Sequence, residues 1–161
     1  MKALSHPVRS LIFTWVVMTG LTCAWGATTS DTTVLEERSN AWTRIRGSAV
    51  LDAGMGLAFD NAGYVYAAGY TEGAFDGQTN AGLQDLCLTK YAADGTLAWT
   101  RIWGSTNDDF GGKTALDRSG NVYVAGATYG SFDGQTNAQL GTSDFCLSKY
   151  TAAGVREWTR I

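Results

Sequence analysis

Between residues 42 and 161 the apolar positions follow neither simple period. Residues 121–128 carry Val122 and Val124 on one strand face and Tyr123 and Ala125 on the other, so both faces are apolar. A strand covered on both sides gives that pattern. No stretch keeps apolar residues at a spacing of 3.6, and glycine interrupts every few positions, which excludes a helical repeat. Turn residues divide the pattern into four short strands per unit. In the second unit these are Lys113–Asp117, 121–128, 144–150 and 155–161. Two of their connections, Asp117-Arg118-Ser119-Gly120 and Ala152-Ala153-Gly154, hold residues suited to tight turns. The counterparts in the first unit are about 56–60, 64–71, 85–91 and 96–103.

The two units are copies of one another. Trp42-Thr43-Arg44-Ile45 returns at Trp99 to Ile102 and again at Trp158 to Ile161, at spacings of 57 and 59 residues. The second spacing is longer because Gly141, Thr142 and Ser143 stand where the first unit has Gln84 alone. FDNAGYVYAAG (59–69) answers LDRSGNVYVAG (116–126), FDGQTNA recurs at 75–81 and 132–138, and DLCLTKY (85–91) answers DFCLSKY (144–150). Repeats of this period mark arrays or propellers, whose single unit cannot bury its own faces. The expected fold is therefore all-β, with tandem four-stranded antiparallel blades of a β-propeller. The chain would hold two complete blades (about 50–104 and 108–161) and one extra strand, Trp42 to Gly47. A ring typically needs about 4–8 blades. The chain is thus expected to be a piece of a larger propeller, or to close the ring by self-association.

The motifs W-T-R-x-x-G-S, D-x-x-G-N-V-Y-V-A-G, S-F-D-G-Q-T-N-A and D-F-x-L-x-K-Y stand in order within residues 99–150. Over residues 42–161 the chain resembles the SBBP-type β-propeller repeat of exported bacterial proteins. The resemblance implies more blades than are present here, serving as a surface or secreted scaffold without a defined activity. Cys146 departs from it, since that position usually carries a larger apolar residue.

The preceding segment is of a different kind. Lys2 and Arg9 lead an apolar run over residues 11–21, and Ala24-Trp25-Gly26 places small residues at the −3 and −1 positions of a cleavage site. Residues 1–26 read as a signal peptide whose apolar run is too short to span a bilayer, and 27–41 as a polar, flexible leader. The mature chain is expected to be secreted, periplasmic or on the cell surface, with no membrane insertion after cleavage. Loss of Lys2 and Arg9 takes the formal charge from −3 to −5, which argues against nucleic acid as a partner.

Candidate chemistry is sparse. The only histidine, His6, lies in the signal segment, leaving no base for a nucleophilic triad. Paired carboxylates such as Asp108 with Asp109 remain, but neighbours on a loop are expected to face solvent. Trp99, Arg101 and Trp103 form a stripe on one strand face, read as packing between blades with the guanidinium over a ring. Cys87 and Cys146 hold matched positions in successive blades, about 10 Å apart or more, and are expected to be buried free thiols. Blade topology brings the loops 72–84 and 129–143 to the same rim as 47–54 and 104–111. That rim collects Asp52, Asp76, Asn80, Asp85, Asp108, Asp109, Asp133, Asn137 and Asp144, the candidate ligand-binding residues. The oxygens of FDGQTNA suit either calcium or tight-turn bonding, and the turn reading is preferred; no cofactor is expected. The composite reading is a non-catalytic extracellular scaffold or binding module for an extracellular protein or glycan. The alternatives are a propeller hydrolase or lyase with its active site in other blades, and a calcium-binding structural repeat.

Overall fold

The computed structural model describes residues 42–139 and 141–161. Residues 1–26 and 27–41, read from the sequence as a signal peptide and a leader, lie outside the described residues. Eight strands run in chain order: β1 (Asp52–Phe59), β2 (Val65–Thr71), β3 (Asp85–Tyr91), β4 (Leu97–Trp103), β5 (Asp109–Leu116), β6 (Val122–Thr128), β7 (Asp144–Tyr150) and β8 (Arg156–Arg160). They form two antiparallel meanders, β1-β2-β3-β4 and β5-β6-β7-β8. Neither sheet closes on itself, and there is no helix among the described residues.

Two boundaries depart from expectation. The first strands begin at Asp52 and Asp109, four residues ahead of their expected starts. Each carries a register shift, between Gly54 and Gly56 in β1 and between Gly111 and Lys113 in β5. A bulge of this kind breaks alternation and hides the strand's true start. Residues 42–47, expected as an extra strand, form none. A strand needs a ladder partner, and this segment is held instead by side chains. Trp42 Nε1 donates to Ala93 O at 2.9 Å, Arg44 Nε donates to Gly95 O at 2.9 Å, and the indole packs on Tyr91.

The core lies between the sheets. Leu86 and Leu88 of β3, Tyr66 and Ala68 of β2 and Trp103 of β4 meet Val122, Val124, Cys146 and Tyr150 of the second sheet. Trp103 packs edge-on against Tyr150 at 4.9 Å, and its indole donates to Ser148 Oγ at 3.0 Å. The close approach at the centre depends on glycine. Gly111 and Gly126 are register partners, and a methyl on Gly111 would overlap Leu86 Cδ2.

The contact repeats along the chain. Trp99 Nε1 donates to Ala152 O at 3.3 Å and Arg101 Nε donates to Gly154 O at 2.7 Å. Trp42 and Arg44 make the same pair of bonds to the equivalent turn of the first sheet. Both receiving glycines, Gly95 and Gly154, sit at positive φ with an indole against them, where a β-carbon would be strained and would clash. The aromatic stripe therefore packs between elements as expected, with Arg101 over Trp99 at 5.4 Å.

Candidate functional site

Strand register sets the geometry of the acidic rim. Asp52, Thr71 and Asp85 lie in one row at the end of the first sheet, and Asp109, Thr128 and Asp144 in the matching row of the second. The loops 72–84 and 129–143 and the connection 104–108 leave from this end, as expected. Most of its carboxylates, however, turn inward and bind backbone.

Asp52 and Asp109 close one type of cap. Asp52 Oδ2 accepts from Ser48 N at 2.7 Å and Ser48 Oγ at 3.1 Å. Asp109 Oδ2 accepts from Ser105 N and from Ser105 Oγ at 2.9 Å. Asp109 was expected on an exposed loop; it is the first residue of β5 and is fully buried. The first sheet's end packs over it, and its backbone N–H donates to Gln84 O at 2.6 Å. Asp85 and Asp144 cap the other loops, accepting from Ala81 N and Ala138 N. Asp108 is half-buried, with no bond to its carboxylate found among the described residues; its carbonyl accepts from Tyr129 N.

The FDGQTNA segments are bracing. Asp76 and Asp133 both have φ of 52°, each followed by a glycine at positive φ, and Gln78 N and Gln135 N close the turns on Phe75 O and Phe132 O. Asp76 Oδ2 accepts from Thr100 Oγ1 at 2.7 Å and Oδ1 pairs with Arg46 at 2.6 Å. Asp133 Oδ2 accepts from Thr159 Oγ1 at 2.6 Å and Oδ1 pairs with Arg156 at 2.7 Å. Asn80 and Asn137 tie the loops back, donating to Thr71 O and Thr128 O at 3.0 Å and accepting from Gly82 N and Gln139 N. Asp76, Asn80 and Asp85 thus reach separate partners and do not converge, and neither do Asp133, Asn137 and Asp144. Among the described residues no three acidic, cysteine or histidine side chains are grouped to hold a metal ion.

A hydroxyl relay links the second of these turns to the core. The Trp103 indole donates to Ser148 Oγ, so the Ser148 proton goes on to Thr159 Oγ1 at 3.0 Å, and Thr159 donates to Asp133. The first sheet repeats the inner part, with Thr89 and Thr100 at 3.3 Å and Thr100 donating to Asp76. Arg46, standing where the second unit has Trp103, meets Asp76 directly.

Asp85 and Asp109 come close to one another across the junction of the sheets. Gly104 lies between them: a methyl there would overlap Asp85 Oδ1 and lie 2.6 Å from Asp109 Oδ2. Both side chains are buried, and Oδ1 of each has no hydrogen-bond partner among the described residues. Burial, with Asp109's charge adding to it, pushes Asp85 up to about 6. Burial likewise raises Asp109. The serine caps escaped the sequence reading, although S-x-x-x-D recurs at Ser48/Asp52 and Ser105/Asp109.

Cys87 and Cys146 are free thiols. Cys146 is buried, as expected. Cys87 is only half-buried, because the first sheet covers Cys146 and the equivalent face of the first sheet is itself open. Burial pushes both thiols up to about 12.

No family model matches the chain, and no curated protein is found to be similar to it.

Proposed function

We propose that the chain is a non-catalytic, exported β-propeller scaffold, and that its two sheets are successive blades holding a binding rim for an extracellular protein or glycan. The observation that carries this is the repeated clasp. Trp99 and Arg101 fasten the first sheet onto the 151–154 turn of the second, and Trp42 and Arg44 fasten onto the 92–95 turn of the first in the same way. Residues 42–45 thus sit as the outer strand of a preceding blade would. Such repetition is what a rotation from blade to blade requires. Export follows from the signal-like start, and the propeller reading agrees with the SBBP-type resemblance.

The inward-turned carboxylates narrow the rim. Asp52, Asp76, Asp85, Asp109, Asp133 and Asp144, with Asn80 and Asn137, hold loops in shape. Contact with a ligand then falls to the exposed Leu83, Thr106 and Asn107 and to Asp108. Function on a rigid scaffold lives in loops of this kind. The calcium and hydrolase or lyase readings have no comparable observation behind them.

The test is to probe arrays of glycans and of extracellular proteins with the labelled chain. Leu83→Lys and Asp108→Lys are expected to abolish capture without lowering the melting temperature. Capture that survives both but is lost on changing Asn61 and Ser119, at the opposite end, would overturn the rim assignment.

A further inference from the structure

The interface between the two sheets is built from a knob and a niche, and each sheet carries both. The knob is Leu86, 1% exposed, on the face of β3 that meets the second sheet. The niche is the row Gly111, Gly126 and Cys146, consecutive partners across β5, β6 and β7. Leu86 Cδ2 occupies the space that a β-carbon on Gly111 would need and would lie 3.0 Å from one on Gly126.

The first sheet repeats the niche, unfilled. Gly54, Gly69 and Cys87 are partners across β1, β2 and β3. No atom lies within 4 Å of where a methyl on Gly54 would stand. A recess of about 140 Å³ opens there, also lined by Ala67, Thr89 and Tyr91. The second sheet repeats the knob, uncovered. Phe145 stands at the position of Leu86 and is 66% exposed, with Leu147 at the position of the fully buried Leu88. The sizes correspond as well, since a cavity of roughly 150 Å³ takes a benzene ring.

We propose that these two open faces dock on one another between copies of this chain, with Phe145 of one copy seated in the Gly54/Gly69 niche of the next. The inference rests on reading the sheets as successive blades. The covered faces inside the chain show which surface fits which, and a second copy carries both. The contact is heterologous, head to tail, and so either closes a ring or extends as a chain of copies.

A second feature sets the clasp of this joint. Arg160 stacks on Trp158 at 5.4 Å as Arg101 does on Trp99, yet Trp158 Nε1 and Arg160 Nε meet no acceptor among the described residues. Their acceptors in a neighbouring copy are Ala93 O and Gly95 O, which that copy's Trp42 and Arg44 already engage. The competing segments are the same tetrapeptide, WTRI, and residues 42–45 have no ladder to hold them. Docking therefore exchanges one WTRI for another.

Sedimentation velocity on the full chain tests this with two variants. Phe145→Asp removes the knob and leaves the niche. Gly54→Val fills the niche and leaves the knob; it has open space around it and a backbone outside the left-handed region. Far-ultraviolet circular dichroism checks that both fold. The wild-type mass is expected to rise with concentration, while each variant alone stays monomeric. Mixed one to one, the variants are expected to form a dimer that grows no further, from the Gly54→Val knob and the Phe145→Asp niche. A wild-type chain monomeric at all concentrations, variants that associate like wild type, or a mixture that does not pair would each overturn the proposal. Any of these, with the Leu86 contact intact in the monomer, would leave the blade reading standing; loss of the Leu86 contact would remove both.

Discussion

Asp85 and Asp109 make the junction of the sheets sensitive to pH. The folded-state pKa of Asp85 is about 6 against an ordinary 3.8, so the native chain binds the proton more tightly than the unfolded chain. Its contribution to stability is fully present below about pH 3.8 and is lost as pH rises through about 6. Asp85→Asn keeps an acceptor for Ala81 N and removes the charge. It is expected to raise the melting temperature at pH 7.5 by about 5–10 °C, from a shift worth roughly 2–3 kcal/mol, and to change little at pH 4. Thermal melts at the two pH values check this, and equal effects at both would count against it. Asp133 belongs to the same scale. Asp133→Ala removes the bonds from Thr159 and Arg156 and is expected to cost about 1–3 kcal/mol in urea denaturation. Millimolar calcium is expected to leave the wild-type melting curve unmoved, because both Asp133 oxygens are engaged. The turn chemistry of FDGQTNA was legible from Asp-Gly alone, but its bracing partners were not, since Thr159 and Arg156 lie more than twenty residues away. Burial of Asp109 was hidden for a like reason: it depends on the far sheet's end lying over it.

Strands β3 and β7 match their expected bounds of 85–91 and 144–150, because apolar residues on both faces and flanking turn residues define them sharply. The first strands of each sheet were only half legible, since small residues and a bulge erase the alternation at Gly54 and Gly111. Equivalent positions on equivalent strands nevertheless differ in environment, and no repeat pattern reveals which copy is covered. The cysteines report this. Both thiols are pushed up to about 12 by burial, so neither is a ready thiolate near pH 8. Access then decides the order of labelling. Under native conditions Cys87 is expected to react with iodoacetamide at least about tenfold faster than Cys146, which should wait for unfolding. Peptide mass spectrometry over a labelling time course measures both rates. Equal rates would mean that the first sheet does not cover Cys146.

The described residues form a pair of repeats joined through unlike faces, with a clasp of tryptophan and arginine at the outer edge. The period, the four strands per unit and the all-β class were legible because the copies carry the same motifs in the same order. Which face of each sheet is covered was not, as both faces of every inner strand are apolar. That assignment is the central claim, since the rim, the clasp and the open niche all follow from it. The most direct measurement compares Leu86→Ala with Phe145→Ala by urea denaturation of dilute chain. The positions are equivalent in sequence, and one lies at the joint while the other faces water. Leu86→Ala is expected to cost about 2–5 kcal/mol, as for a buried leucine whose space cannot collapse, and Phe145→Ala less than about 0.5 kcal/mol. Equal losses at the two positions, or a larger one at Phe145, would contradict the account.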